Sequence, residues 1–247
     1  MRKSLTLFFS CPGGSVTPIQ EFFRCAGMSY TASELSENPY DFEMVTRLNQ
    51  RLHTTIYGFA EGTLGYCTSG QIYRNRRVLL PDVSQLPEEW VHEGIAAIQT
   101  LTDSAPVTGL FQNGLVLFHD YWHHVLSHFP EISVHQLFIL QPPGEILFHL
   151  VRQSSERPAP VEILDFLMAY YLRLLQIRKQ WKGSSRVIHP TSTTYASDLR
   201  RALEQNGLLR EGMPHIEHVV PVPSGGEFPI LNHPIELTSE KILASFM

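Results

Sequence analysis

"LTLFFSCPGGSVTPIQEFFRCAG", Leu5 to Gly27, decides how the rest of the chain reads. Leu5 to Phe9 is a short, mostly apolar run closed by a Pro-Gly-Gly turn, the pattern of a buried strand. Thr17 can cap the helix that follows, with Pro18 at its first position. Ile19, Phe22, Phe23 and Ala26 then recur at helical spacing, and Gly27 is a natural stop. Strand, glycine turn and helix together make the shape of a phosphate cradle, in which backbone N–H groups and a helix N-terminus face an anion. This one contains no lysine or arginine between Leu5 and Phe23.

The same alternation continues along the chain. Asp41 to His53 reads as a helix with Met44, Val45, Leu48 and Leu52 on one face. Gly58 to Pro81 is irregular and glycine-rich and reads as a loop. "PEEWVHEGIAAIQTL" is a helix with Glu88 and Glu89 in its first turn, where acids suit the dipole. Thr108 to Phe111 reads as a strand, Leu115 to His128 as a helix and Ser133 to Leu140 as a second buried strand. A turn and helix, "QPPGEILFHLVRQ", come next. Val161 to Trp181 is the longest helical pattern, with cations late in it. "VIHPTSTT" reads as a strand and turn, and "YASDLRRALEQNGL" as a helix. Strands alternating with helices predict a mostly parallel sheet with helices on both faces, a three-layer α/β sandwich. Ligands of such sheets bind beyond the carboxyl ends of the strands. Phe8–Gly14, Gln112–Gly114 and Gln141–Gly144 fall there.

Composition narrows the function. The chain has 247 residues, 43% of them hydrophobic, enough for one large domain with a substantial core. We read 1–247 as a single domain, with its core over about 5–180. A C-terminal extension covers 181–247 and is proline-rich from 213. The formal charge is −5, from 19 basic and 24 acidic residues. That argues against nucleic acid, whose phosphates need clustered cations. Three cysteines without a CxxC pair fit a reducing, cytoplasmic setting. "MRKSLTLFFSC" has the cations and cysteine of a lipoprotein leader, but its apolar part is too short and reads better as the first strand. No stretch reaches the ~20 apolar residues of a membrane span.

The three strand ends, in this order, resemble the sulfotransferase family, in particular its bacterial carbohydrate-type branch. The family's first loop runs G-x-x-R-S-G-T-S. "SCPGGSVTPIQEFFRCAGM" fits without a gap, with Gly13 in the arginine place, Gly14 and Ser15 for Ser-Gly, and Val16 and Thr17 for Thr-Ser. "GLFQNGLVLFHDYWHHVLSHFP" stands for the family's W-x-W/F-K-D-P segment, with Gln112 in the lysine place. "LFILQPPGEILFHLVRQ" stands for R-D-P-x-E-V-x-x-S-L-x-x-R and matches at Pro143, Glu145, Ile146, Leu150 and Arg152. There Gln141 replaces the arginine and His149 the serine. "AYYLRLLQI" resembles the W-x-x-Y-N-x-x-L helix through Tyr170 or Tyr171.

The resemblance implies a P-loop-like fold and transfer of a sulfuryl group from 3′-phosphoadenosine 5′-phosphosulfate to a hydroxyl of a carbohydrate or small metabolite. The donor would be held by Gly13, Gly14, Ser15, Val16 and Thr17, with Gln141 and Arg152. Each missing motif cation would make charge-assisted bonds of about 1.5–3 kcal/mol. Three such losses weaken binding by roughly three orders of magnitude or more. Arg24, Arg152, Arg186 or the Arg74–Arg77 cluster could stand in. The alternative is a binding or scaffold protein that keeps the fold and has lost donor binding. A transferase using another donor in the same cleft is a third reading.

For the acceptor's general base, the histidine cluster "FHDYWHHVLSHFP" offers His119, nearest the strand end. Glu21 and Glu61 are alternatives. His119 and His123 are four apart, as are His124 and His128. This spacing can bind a metal but lacks the glutamate of a zincin, so we read a polar helix face and no metal. "GGSVT" lacks GK[ST] and is no Walker nucleotide loop.

Overall fold

The structure, a computed structural model, describes residues 3–10, 30–31, 39–57, 73–74, 77–78, 82–104, 107–111, 115–144, 146, 160–189, 195–209 and 241. Its centre is a five-stranded sheet of β1 (Ser4–Ser10), β2 (Tyr30–Thr31), β5 (Val107–Phe111), β6 (Ser133–Ile139) and β7 (Ser184–Ile188). The spatial order is β2-β5-β1-β6-β7, and every pair is parallel. The chain is thus an α/β fold with a parallel sheet. The order differs from the Rossmann and flavodoxin orders, in which the first strand lies directly beside the second.

Burial explains why β1 sits centrally. Residues 5–10 are all buried, so both faces of the strand are covered, as parallel sheets require. Leu5, Leu7 and Phe9 point one way, into the main core with Leu110, Phe138 and Leu140. Phe9 stacks on Phe138 at 5.1 Å. The alternate residues Thr6, Phe8, Leu137 and Ile139 are buried on the opposite face, outside that cluster. On that face Gly109 is required for space. A Cβ there would lie 3.0 Å from the Phe8 ring.

Four helices fill the main core: α1 (Pro39–Tyr57), α2 (Glu88–Ser104), α3 (His119–Leu126) and α4 (Pro160–Gln180). Helix α2 carries Glu88 and Glu89 in its first turn. Arg51 of α1 pairs with Glu93 of α2 at 2.9 Å and stacks over Trp90 at 5.0 Å. The Trp122 indole of α3 donates to Asn49 Oδ1 at 2.9 Å, and the Tyr121 hydroxyl donates to the Trp90 carbonyl at 2.6 Å. A Cβ at Gly94 would collide with that hydroxyl and come within 2.8 Å of Val125, so α2 and α3 touch only because residue 94 has no side chain. Helix α5 (Tyr195–Gln205) contacts β7, and its buried Leu199, Ala202 and Leu203 lie outside the main cluster. The Ser4 hydroxyl donates to the Asn206 carbonyl at 3.4 Å, tying the end of α5 to the start of β1.

Several expected bounds shift. The helix expected over 115–128 begins only at His119, after a turn at 115–118. Strand β7 starts at Ser184, three residues before Val187, where the expected strand of "VIHPTSTT" begins. The stretch 58–81, expected as a loop, contains a hairpin of β3 (Tyr73–Arg74) and β4 (Arg77–Val78), and β4 packs on α4. Strands of two residues, like β2 and these, are too short to show period-two alternation. No described helix is long and apolar enough to cross a membrane.

Candidate functional site

The sheet topology places the site. From β1 the chain moves toward the β2–β5 side, and from β6 it moves toward β7, the opposite side. The reversal between neighbouring strands lies between β1 and β6, and a crevice opens at the carboxyl ends of such a pair. Ser10 and Ile139, the last residues of the two strands, are register partners. Of the two segments that follow in sequence, the described one, from Leu140, leaves the sheet beside the end of β1.

Of these two strand ends, the one followed by described residues is that of β6. The Leu140 N–H donates to the Ile188 carbonyl at 2.9 Å, carrying the pairing with β7 one residue further. Gln141 is buried, and its carbonyl accepts a hydrogen bond from the Tyr171 hydroxyl of α4. The Ile146 N–H donates to the Pro142 carbonyl at 3.3 Å, so a helical turn starts at once. Of the donor-binding residues expected from sequence, Gln141 lies at this end. Gly13, Gly14, Ser15, Val16, Thr17 and Arg152 lie outside the described residues, as do Arg24, Arg76, Gln112, His149, Glu21 and Glu61. Arg186 is exposed on β7.

Near the end of β1 lies a buried polar network centred on His119. Its ring packs against Phe9, one residue short of the β1 end, with centroids 5.8 Å apart. Nδ1 lies 3.3 Å from Asp120 Oδ1, and Nε2 lies 3.2 Å from the side-chain nitrogen of Gln136 on β6. Arg173 of α4 donates to the same Asp120 oxygen at 2.9 Å. His119 and Arg173 are only 5% and 4% exposed, so this is an ion pair with its cation buried. Such a pair adds little net stability, but removing one partner leaves an uncompensated charge, so it holds α3 and α4 in one relation.

The protonation states follow from these contacts. The hydrogen bond from His119, with the charge and hydrogen bond of Arg173, holds the Asp120 carboxyl down at about 2 against the opposing effect of burial. Burial pushes the His119 imidazole below its ordinary value, and Arg173 and His123 push the same way while Asp120 opposes them. Neutral His119 therefore keeps its proton on Nδ1, toward Asp120, and its Nε2 lone pair accepts from the Gln136 amide N–H. Each ring nitrogen is thus engaged inside the protein. The ring chosen from sequence as general base meets an acceptor only after Gln136 gives way.

The sequence reading passed over Arg173 and Gln136. The signal for Arg173 was present. It stands four residues after Ala169, three after Tyr170 and four before Ile177, all buried, so it is a cation on the apolar stripe of α4. Gln136 is likewise a polar residue inside a buried strand. The other histidines of the cluster, His123, His124 and His128, are exposed. Among the described residues no group of three or more histidines, cysteines or acids is placed to hold a metal ion.

No family model matches the chain, and no curated protein is significantly similar to it.

Proposed function

We propose that the chain is a sulfotransferase-like protein of P-loop-like, three-layer α/β fold. It binds 3′-phosphoadenosine 5′-phosphosulfate across the carboxyl ends of β1 and β6. One observation supports this reading: Ser10 and Ile139, register partners at the topological reversal, end β1 and β6 side by side, and the glycine-rich stretch and the Gln141 stretch follow them in sequence. The strand order supports it further by setting aside the two doubly wound dinucleotide- and flavin-type frames. In this reading the amides of Gly13–Thr17 take the phosphosulfate, and Gln141 with Arg152 takes the 3′-phosphate side. The bond between sulfur and the bridging phosphate oxygen breaks as an acceptor hydroxyl oxygen attacks in line. The acceptor proton passes to a base, and the nucleotide bisphosphate leaves. Such a transfer depends on positioning and charge stabilisation.

The second reading, a fold that binds partners without binding the donor, is favoured by one specific observation. Glycine or glutamine stands where the motif arginines and lysine would be, at Gly13, Gln112 and Gln141. Calorimetric titration with 3′-phosphoadenosine 5′-phosphate separates the two. The donor-binding reading expects micromolar affinity, reduced at least about tenfold by Gly14→Val, which costs about 1.4 kcal/mol or more at the loop backbone. No heat up to millimolar nucleotide would leave the partner-binding reading standing.

A further inference from the structure

The His119 network lies against Phe9, one residue short of the end of β1, and the sequence that follows β1 has no lysine or arginine from Cys11 to Phe23. We propose that His119 takes up a proton when an anionic nucleotide settles at the carboxyl ends of β1 and β6, so that its imidazolium supplies part of the missing positive charge. This inference rests on the donor-binding reading above.

Three observations carry it. The first is position: the His119 ring lies against Phe9, whose next residue, Ser10, ends β1. The second is an unmatched acceptor. Gln136 is 1% exposed, and its Oε1 has no hydrogen-bond partner among the described residues, while its amide nitrogen lies against His119 Nε2. A half-turn of that amide exchanges the two atoms. Neutral His119 accepts from the Gln136 N–H. Protonated His119 donates from Nε2 to Gln136 Oε1, the atom that otherwise lacks a partner among the described residues. Both states leave each ring nitrogen hydrogen-bonded, so protonation needs no displacement of the helix.

The third observation is the charge balance. Among the described residues the groups facing His119 are Asp120 and His123 on its own helix, Arg173 from α4, the neutral Gln136 from β6 and the Phe9 ring of β1. Asp120 and Arg173 already cancel. An imidazolium would leave one buried positive charge in excess, which keeps the ring neutral while no anion is near. An anion above Phe9 compensates that charge, and by linkage the proton must then favour the anion in return.

The test is calorimetric titration with 3′-phosphoadenosine 5′-phosphate at pH 6.5, in two buffers of different ionisation enthalpy, on the wild type and His119→Gln. The nucleotide's own phosphates titrate alike with both proteins, so the difference in proton uptake belongs to His119. We expect the wild type to take up more protons, by up to one per site. We also expect its affinity to rise by up to tenfold per pH unit on acidification relative to the variant. Should His119→Gln not fold, ring-nitrogen NMR of the wild type gives the same answer, with Nε2 changing from an acceptor to a protonated nitrogen on saturation. Binding with equal uptake in both proteins, or an unchanged Nε2, overturns this inference alone. No binding by the wild type overturns the donor-binding reading and the inference with it.

Discussion

Acidification from pH 7 to pH 4 is expected to cost the fold about 3 kcal/mol through His53 alone. His53 is fully buried in α1, edge-on to Phe118 with centroids 4.8 Å apart. Burial lowers its imidazole from 6.5 to about 4. The sign follows from where each state binds the proton. Above about 6.5 both folded and unfolded chains are neutral at this position, and the fold is at full strength. Below that value the unfolded chain takes the proton first, and stability falls until the folded ring protonates near 4. His119 and His135, lowered mainly by burial, act in the same direction. Asp120 loses its charge only toward about 2, below this window. Urea unfolding at several pH values between 7.5 and 4.5 measures the slope. His53→Gln should flatten it, with the gap between variant and wild type closing by about 2–3 kcal/mol toward acid. Parallel curves for the two proteins would remove His53 from the account.

Trp122→Ala is expected to cost about 3–5 kcal/mol. Trp122 is among the largest fully buried side chains, and it joins α3 to α1. Its ring meets Tyr121 edge-on at 5.0 Å, and its N–H reaches across to Asn49 of α1. Truncation leaves a cavity and deprives Asn49 Oδ1 of this buried donor. Against a total stability of about 5–15 kcal/mol this is a large share. It corresponds to a fall in Tm of roughly 6–20 °C for a chain of this size. Trp122→Phe separates the two contributions. It fills most of the volume and loses the hydrogen bond, so a loss of about 1–3 kcal/mol is expected. Equal losses for both variants would mean that packing around the indole contributes little.

What was legible in the sequence follows the lengths of its patterns. β1 showed itself because Leu5–Phe9 is an unbroken buried run closed by Pro-Gly-Gly. The helix expected over Val161–Trp181 appears as Pro160–Gln180 because its apolar stripe repeats for more than five turns, with a proline suited to its first position. Helix α3 was read four residues too early because Leu115, Val116, Leu117 and Phe118 are apolar, and they are buried in a turn just as they would be in a helix. β2 and the β3–β4 hairpin were missed because partners in the fold create them. β2 exists through Tyr30–Gly109 and Thr31–Leu110 pairing, which no local pattern records.

The candidate site divides in the same way. A glycine turn after a buried run marks a strand end, so the end of β1 could be read. Which two ends meet there is a matter of strand order, and the Ser10–Ile139 pairing supplied it. The environment of His119 could not be read, because Gln136 is 17 residues away in the chain and Arg173 is 53 residues beyond Asp120. The histidine's sequence neighbours suggested a polar helix face. Its neighbours in space are a strand, a buried arginine and a phenylalanine.

Hydrogen–deuterium exchange with and without saturating 3′-phosphoadenosine 5′-phosphate tests the central claim most directly. The account predicts slowed exchange in two separate peptides, one covering Phe9 to Thr17 and one covering Ile139 to Ile146, with α5 and the β3–β4 hairpin unchanged. Protection confined to other segments, or none at nucleotide concentrations well above micromolar, would contradict a ligand crevice between β1 and β6.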